Sequence, residues 1–302
     1  MNQSELVQNL DSFFNSAAFN EEPHWRPRLS DRDFHILERF ALPEFRNGSW
    51  NGLLLDNTER IDRVYTIVFP TQDVIDTIIA REVARGAPGA LIFAHHLLTL
   101  DQERRRFLLI SEDQLEELKE HHISFYLCHA PLDHHPEIST ASALANTLGL
   151  REQARFAQRE GGPFAIHGMV GKPTSFQAFA QRLAKLTDVD RLRYDQIRHN
   201  GLPVQHVAAV PGNGADPELL EQAIALGCDT YVTGQWWFYG ETDYAETQRT
   251  RMRELLLGGL RLNLLGVSRY ATEMVVMREQ MLGWFRAQGV DAEFIPQGDP
   301  WA

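Results

Sequence analysis

The run Leu91-Ile92-Phe93-Ala94-His95-His96 decides how the rest of the chain is read. A short apolar, partly β-branched stretch breaks off at two adjacent histidines, the pattern of a buried strand in an α/β protein. In open α/β sheets, ligands gather outside the carboxyl ends of the strands, where these imidazoles would project. At a strand's frayed end two neighbouring side chains can turn towards one site, and imidazole is the commonest metal ligand. For an isolated pair, one packed and one solvated histidine is the plainer explanation. Two further strand ends tip the balance. Ile123-Ser124-Phe125-Tyr126-Leu127-Cys128 leads into His129-Ala130-Pro131-Leu132-Asp133-His134-His135-Pro136, and Arg261-Leu262-Asn263-Leu264-Leu265-Gly266 leads through Val267 to Glu273 and a long helix. Three strand ends rich in His, Asp and Glu suit a divalent transition metal such as Zn, Mn, Fe or Ni.

Around these strand ends, strands and helices alternate. Strand Ile61–Phe69, helix Gln72–Arg85, turn Gly86–Gly89 and strand Ala90–Ala94 make a βαβ unit, which implies a parallel sheet with a right-handed crossover. Upstream, Leu6, Leu10, Phe13, Phe14 and Ala17 recur at helical spacing over Ser4–Phe19. Asn20–Leu29, with Pro23 and Pro27, reads as loop, and Ser30 caps a helix from Asp31 to Phe40. Ser111 caps a helix over Glu112–Glu120, and another lies near Thr140–Leu148. Arg151–Gly162 loses apolar periodicity and becomes charged. The domain boundary is placed there, giving a first α/β domain over 1–155 and a second over 156–302. Beyond it come strand Phe164–Val170, helix Ser175–Leu186, strand Pro203–Val210, a turn at Pro211–Gly214 and a helix opened by Asp216-Pro217. Strand Cys228–Val232, helix Tyr244–Leu257, strand Leu260–Leu265, helix Ala271–Gln288 and strand Ala292–Ile295 follow. The expected fold is two layered α/β domains with mixed or parallel sheets and a metal cleft between them, to which the C-terminal segment returns Glu273.

At 302 residues and 43% hydrophobic content the chain can bury a large core, and its net charge is −12. That charge disfavours nucleic acid held by phosphate neutralisation and an anionic membrane surface as main partner. No apolar run approaches a membrane span, and the first residues lack a charged-then-apolar signal pattern. The two cysteines, Cys128 and Cys228, sit in apolar runs and read as buried thiols of a cytoplasmic protein.

In several ordered motifs the sequence resembles the Nif-three-like (Ngg-one-interacting factor three) family, whose members are often labelled GTP cyclohydrolase 1 type 2. The motifs are Ala94-His95-His96, His129-x-x-x-Asp133 with Leu148-Gly149-Leu150, Val210-Pro211-Gly212-Asn213-Gly214, Cys228-Asp229-Thr230-Tyr231-Val232-Thr233-Gly234, and Tyr270-Ala271-Thr272-Glu273. They span the chain from about Asn51 to Pro300, and the segment before Trp50 has no match. The resemblance implies two interleaved α/β domains, a toroidal homohexamer and a pair of divalent metals. One metal would be held by His96, Asp133 and Glu273, and the other by His95 and a bridging Glu273. It also places a histidine four positions before the glutamate, where this chain has Arg269. Guanidinium offers no lone pair and stays protonated. A single site at His96, Asp133 and Glu273 therefore ranks ahead of an intact pair. Alternatively His129, His134 or His135 substitutes, or Arg269 pairs with Glu273 or binds a substrate phosphate. Gln235 and Leu97 depart from the pattern as well.

Each residue also has a plainer reading. Asp133 alone would be a cap or turn residue, and Glu273 sits where a helix dipole favours a carboxylate. His129 could hold Asp133 or a water. His134 and His135 read as exposed loop residues. Gly212-Asn213-Gly214 reads first as a tight turn, and second as an anion cradle of backbone amides. Trp236-Trp237-Phe238-Tyr239 reads as an interface of the oligomer. The functional expectation is a metal-dependent hydrolase acting on a nucleotide or phosphorylated small molecule, with His95 or His129 relaying a proton. The alternative is a non-catalytic, metal-binding oligomeric scaffold or regulatory protein with a degraded dinuclear site.

Overall fold

A computed structural model describes residues 1–302 except 88, 102–105, 160, 191, 193, 199, 238–242 and 299–302, and leaves the side chains of 194–198 and 244 undescribed. In chain order its strands are β1 (Gly52–Leu55), β2 (Arg63–Ile67), β3 (Ala90–Ala94), β4 (Thr99–Asp101), β5 (Arg106–Leu108) and β6 (Ile123–Leu127). They continue with β7 (Arg151–Arg159), β8 (Gly162–Thr174), β9 (Tyr194–Arg198), β10 (Val204–Asn213), β11 (Thr230–Gln235), β12 (Asn263–Gly266) and β13 (Asp291–Phe294). Contacts divide the chain into two units, one of Met1–Pro136 with Met277–Pro300 and one built on Glu137–Val276. Residue 155, where the sequence reading divides the chain, falls inside β7.

In the first unit the strand order is β1-β6-β3-β2-β13. β6, β3, β2 and β13 run parallel, and β1 closes one edge antiparallel. The βαβ reading of residues 61–94 holds, with helix Gln72–Arg85 ending at Gly86 in the left-handed region. Both faces of the sheet are covered, as the unbroken apolar runs require. Ile92 and Ala94 face a cluster with Ile75, Ile78, Leu115 and Leu118. Phe93, pointing the other way, packs with Phe14 from the opening helix, Tyr126 and Phe285. β4 and β5 pair as a small separate hairpin.

The second unit carries a sheet of order β7-β8-β10-β11-β12-β9. Its centre, β10-β11-β12, is parallel, while β7, β8 and β9 are antiparallel additions. Helices Thr140–Thr147 and Phe176–Leu186 pack on one face, and helices Pro217–Ala225 and Asp243–Leu257 on the other. Both sheets thus combine parallel strands with antiparallel edges, the mixed α/β class expected.

Some elements differ from the sequence reading. The opening helix stops at Phe14, because Asn15 turns into the left-handed region at φ 50° and a short 3-10 turn follows. Asn20–Leu29 contains two one-turn helices, Glu22–Trp25 and Arg26–Arg28. Arg151–Arg159 is an edge strand, and its charged side chains are mostly solvated, which erases the apolar alternation that marks a half-buried strand. Trp236 is 2% exposed and belongs to the core of the second unit, so it is not an interface residue. Trp237 packs beside that core under the Arg253 guanidinium, and Phe238 and Tyr239 lie outside the described residues.

Candidate metal centre

β3 and β6 are neighbouring parallel strands, so their carboxyl ends deliver His95-His96 and His129 side by side. The ladder runs slightly past the strands. His95 and His96 donate their backbone N–H to Ile67 and Val68 at 3.1 and 2.9 Å, and Cys128 donates to Ala94 at 2.9 Å. After Cys128 the chain turns into a one-turn helix, Ala130–His134, whose Leu132 and Asp133 amides both donate to the His129 carbonyl. One nitrogen from each of His95, His96 and His129 lies within 4.8 Å of the others.

His95 is fully buried, and its Nδ1 lies 3.1 Å from the Cys128 carbonyl. A carbonyl only accepts, so Nδ1 carries the proton and Nε2 presents a lone pair. That Nε2 is buried without a hydrogen-bond partner and lies 3.6 Å from Asp133 Oδ1. Burial, opposed only in part by Asp133, pulls the His95 pKa down to about 4, which keeps the ring neutral at neutral pH. A buried nitrogen left unpaired costs about 1–3 kcal/mol, and a cation beside Asp133 would satisfy it. His96 is clamped differently, stacked on Phe69 at 4.2 Å between centroids, with the Trp25 ring nearly perpendicular to it at 6.1 Å between centroids.

His129 is held by the segment the sequence reading could not match. Its Nδ1–H donates to Glu21 Oε1 at 2.6 Å, and its backbone N–H donates to Asn51 Oδ1 at 3.0 Å. Glu21 Oε2 accepts from the Asn51 amide and the Ala130 N–H at 2.9 and 3.0 Å. Burial alone would raise the Glu21 carboxyl, but the charge and hydrogen bond of His129, with those two donors, outweigh it and hold the pKa at about 2. Trp25 closes the cluster, its ring 4.8 Å from that of His129. A carboxylate behind an imidazole fixes the ring and its tautomer at metal sites. No sequence signal identified Glu21 or Trp25, since neither lies in a periodic or motif-bearing stretch.

His134 and His135 are half-buried against aromatic rings, His135 4.2 Å from Phe13 and His134 5.7 Å from Phe19, so they are not exposed loop residues. In the second unit, Glu273 is 4% exposed on helix Arg269–Val275, whose N-cap Ser268 accepts from the Ala271 amide. Arg269 Nε lies 3.9 Å from Glu273 Oε1, one of the outcomes expected of an arginine at that position. The Gly212 amide donates to Thr272 Oγ1, and the Gly214 amide to the Gln235 carbonyl. An anion cradle at Gly212-Asn213-Gly214, the second of the two readings of this segment, would therefore find two of its three amides already engaged. Nor is the segment a plain turn, since β10 runs on to Asn213 through a bulge at Gly212 with φ 71°. A Cβ at Gly212 would sit 2.5 Å from Glu273 Oε1, so glycine here lets the carboxylate lie against the strand.

These features define a mixed α/β protein whose first unit gathers three imidazoles and a carboxylate at adjacent strand ends, a donor set that fits a divalent transition metal. The family model described as Duf34/NIF3 (NGG1p interacting factor 3) matches residues 32–289, and the chain belongs to that family. It is 28% identical over 211 residues to a protein of Halobacterium salinarum named "GTP cyclohydrolase 1 type 2 homolog", covering 68% of this chain and 79% of the relative. A Pyrococcus horikoshii protein of the same name is 25% identical over 98% of both chains. Among solved structures, a protein called ybgI, of unknown function, superimposes with a TM-score of 0.64 at 22% identity, covering 99% of this chain and 100% of the other. Reduced HcgD of Methanocaldococcus jannaschii does so at 0.60 and 18%, over 98% of each chain. At such identities these two likenesses concern the fold.

Proposed function

We propose that the protein is a divalent-metal-dependent hydrolase whose metal is held in the first unit by His95, His96 and Asp133, acting on a nucleotide or phosphorylated small molecule. The observation that carries this reading is the buried, unpartnered Nε2 of His95, aimed towards Asp133 within reach of two further imidazoles. When bound, a divalent cation would lower the pKa of a water from ~15.7 to about 7 and polarise the bond under attack. The role of His95 is ligation rather than proton transfer, because its low pKa makes it a weak base. The proton is taken by His129, whose Nδ1–H is anchored on Glu21 so that imidazolium, once formed, faces a buried carboxylate. The family resemblance also supports a homohexamer, which light scattering would check.

The substrate class rests on the relatives' names, so GTP is the first probe and small phosphoesters the second. Metal-reconstituted protein is expected to turn over one of them. His95→Ala should abolish the activity, and His129→Gln should lower it by roughly 10²–10⁴-fold while metal content persists. Turnover unchanged in His95→Ala would contradict the reading. A second reading, a non-catalytic metal-binding oligomer, is favoured by one observation. Arg269 stands beside Glu273 where the family pattern has a histidine. Metal uptake with no turnover of any probe would select it.

A further inference from the structure

A different set of donors meets on the sheet of the second unit, at residues the reading above does not use. The antiparallel register of β8 and β10 pairs His167 with Ala208 and Met169 with His206. His167 and His206 therefore lie diagonally on one face, the face that packs under helix Pro217–Ala225. Cys228 follows that helix and donates its N–H to Ala223, while the next amide, of Asp229, donates to the His206 carbonyl. The Asp229 carboxylate accepts from the backbone N–H groups of Gln205 and His206 at 2.9 and 2.8 Å and from the Thr230 hydroxyl at 2.7 Å. This stitching holds three separate elements together around the donors. Gly227, in the left-handed region at φ 81°, lets the turn pass His206, and a Cβ there would lie 3.9 Å from Nδ1.

His167 Nδ1 and His206 Nε2 are 2.8 Å apart, and one ligand atom from each of His167, His206 and Cys228 lies within 4.8 Å of the others. A simpler interpretation is a hydrogen-bonded histidine pair resting on a buried thiol. It accounts for the 2.8 Å contact, but not for a thiol joining the two imidazoles at metal-ligand range, all three delivered by a braced turn and two strands. We propose that His167, His206 and Cys228 bind a borderline-soft transition-metal ion of the Zn²⁺ class. Two imidazoles and a thiolate match zinc and copper rather than magnesium or calcium. Tetrahedral Zn–N bonds of ~2.0–2.1 Å place two ligand nitrogens roughly 3.3 Å apart, so the rings need part by only about half an ångström. Burial pushes the Cys228 thiol up to about 12, so loading expels its proton. Three protein ligands leave a fourth position for a water or a small ligand.

Co²⁺ is the test probe, because a cysteine thiolate on cobalt gives a ligand-to-metal charge-transfer absorption in the near ultraviolet that imidazole and carboxylate ligands do not. The full-length chain, titrated with Co²⁺ under reducing conditions, is expected to develop that band and to lose it when Zn²⁺ is added. Cys228→Ser should abolish the band, and Cys128→Ser should leave it in place. His167→Gln, at a partly exposed position where refolding is not at stake, should weaken Co²⁺ binding by roughly tenfold or more. Absence of the band in the wild type, its survival in Cys228→Ser, or unchanged affinity in His167→Gln would overturn the proposal.

Discussion

At the scale of the residue, the account turns on which nitrogen of which histidine holds a proton. His95 and Glu21 both titrate abnormally low, so in metal-stripped protein both make the fold acid-labile. His95 is held at about 4 against an ordinary 6.5, so its contribution is fully present above about pH 6.5 and lost as pH falls towards 4. Glu21 is held at about 2 against 4.5, and its contribution is lost between those values. Stability followed by urea titration should therefore fall in two overlapping steps on acidification. His95→Gln should remove the upper one, and a profile flat from pH 6.5 to 4 would contradict the buried neutral imidazole. Glu21→Gln should remove the lower step and lower turnover, because it takes away the carboxylate that faces the His129 imidazolium, while metal uptake read by competition against a chelator dye persists. His95, His96 and Asp133 were legible in the sequence because each sits at or just beyond the end of an apolar run. Glu21 was not, since it meets His129 across 108 positions from a segment with no periodicity. His167, His206 and Cys228 were equally hidden. Single histidines inside strands carry no spacing signal, and only the β8–β10 register brings them together.

At the scale of the element, caps were the most readable features. Ser30, Ser111 and Asp216 each accept from a first-turn amide of the helix they open, as does Ser175, which the sequence reading counts within its helix. Ser139 goes further, exchanging hydrogen bonds with Ser142 in a capping box while fully buried. Ser139→Ala should cost about 1–2 kcal/mol of stability in denaturant unfolding, and an unchanged midpoint would contradict the role given to this cap. What stayed illegible was the strand that does not alternate, β7, and the strand that runs through its own glycine. Pro211-Gly212-Asn213-Gly214 has the composition of a turn, yet the left-handed Gly212 bulges β10 and carries it on beside Glu273. Two glycines separate these effects. Gly86 caps a helix at φ 62° with nothing near a Cβ, so Gly86→Ala should cost about 1–2 kcal/mol from the backbone alone. Gly212→Ala adds a clash with Glu273 Oε1, and should cost clearly more. Equal losses would show that the carboxylate does not press on the strand.

At the scale of the whole molecule, the first unit is completed from the far end of the chain. Helix Leu282–Ala287 supplies Phe285 to the core around Phe93, and β13 pairs with β2 along its length. Removing 277–302 would expose the β2 edge and that apolar face, and the shortened chain should aggregate. Soluble, cooperatively folding material would contradict the assignment of this segment to the first unit. The alternation of strands and helices announced the mixed α/β class, whereas the return of residues 277–300 to the first sheet could not be read locally, because β pairing at such separation leaves no mark on the segment itself. No helix among the described residues is long and apolar enough to cross a membrane. A metal that binds only the folded state stabilises it by about 2.7 kcal/mol at a hundredfold excess over its dissociation constant, so the melting temperature should rise with added cation. The most direct measurement is anomalous scattering from crystals grown with Zn²⁺ and collected on either side of the zinc edge. The account predicts a peak within bonding distance of His95 Nε2, between the His95 and His96 rings and the Asp133 carboxylate, and well-ordered side chains around an empty cluster at saturating zinc would contradict it.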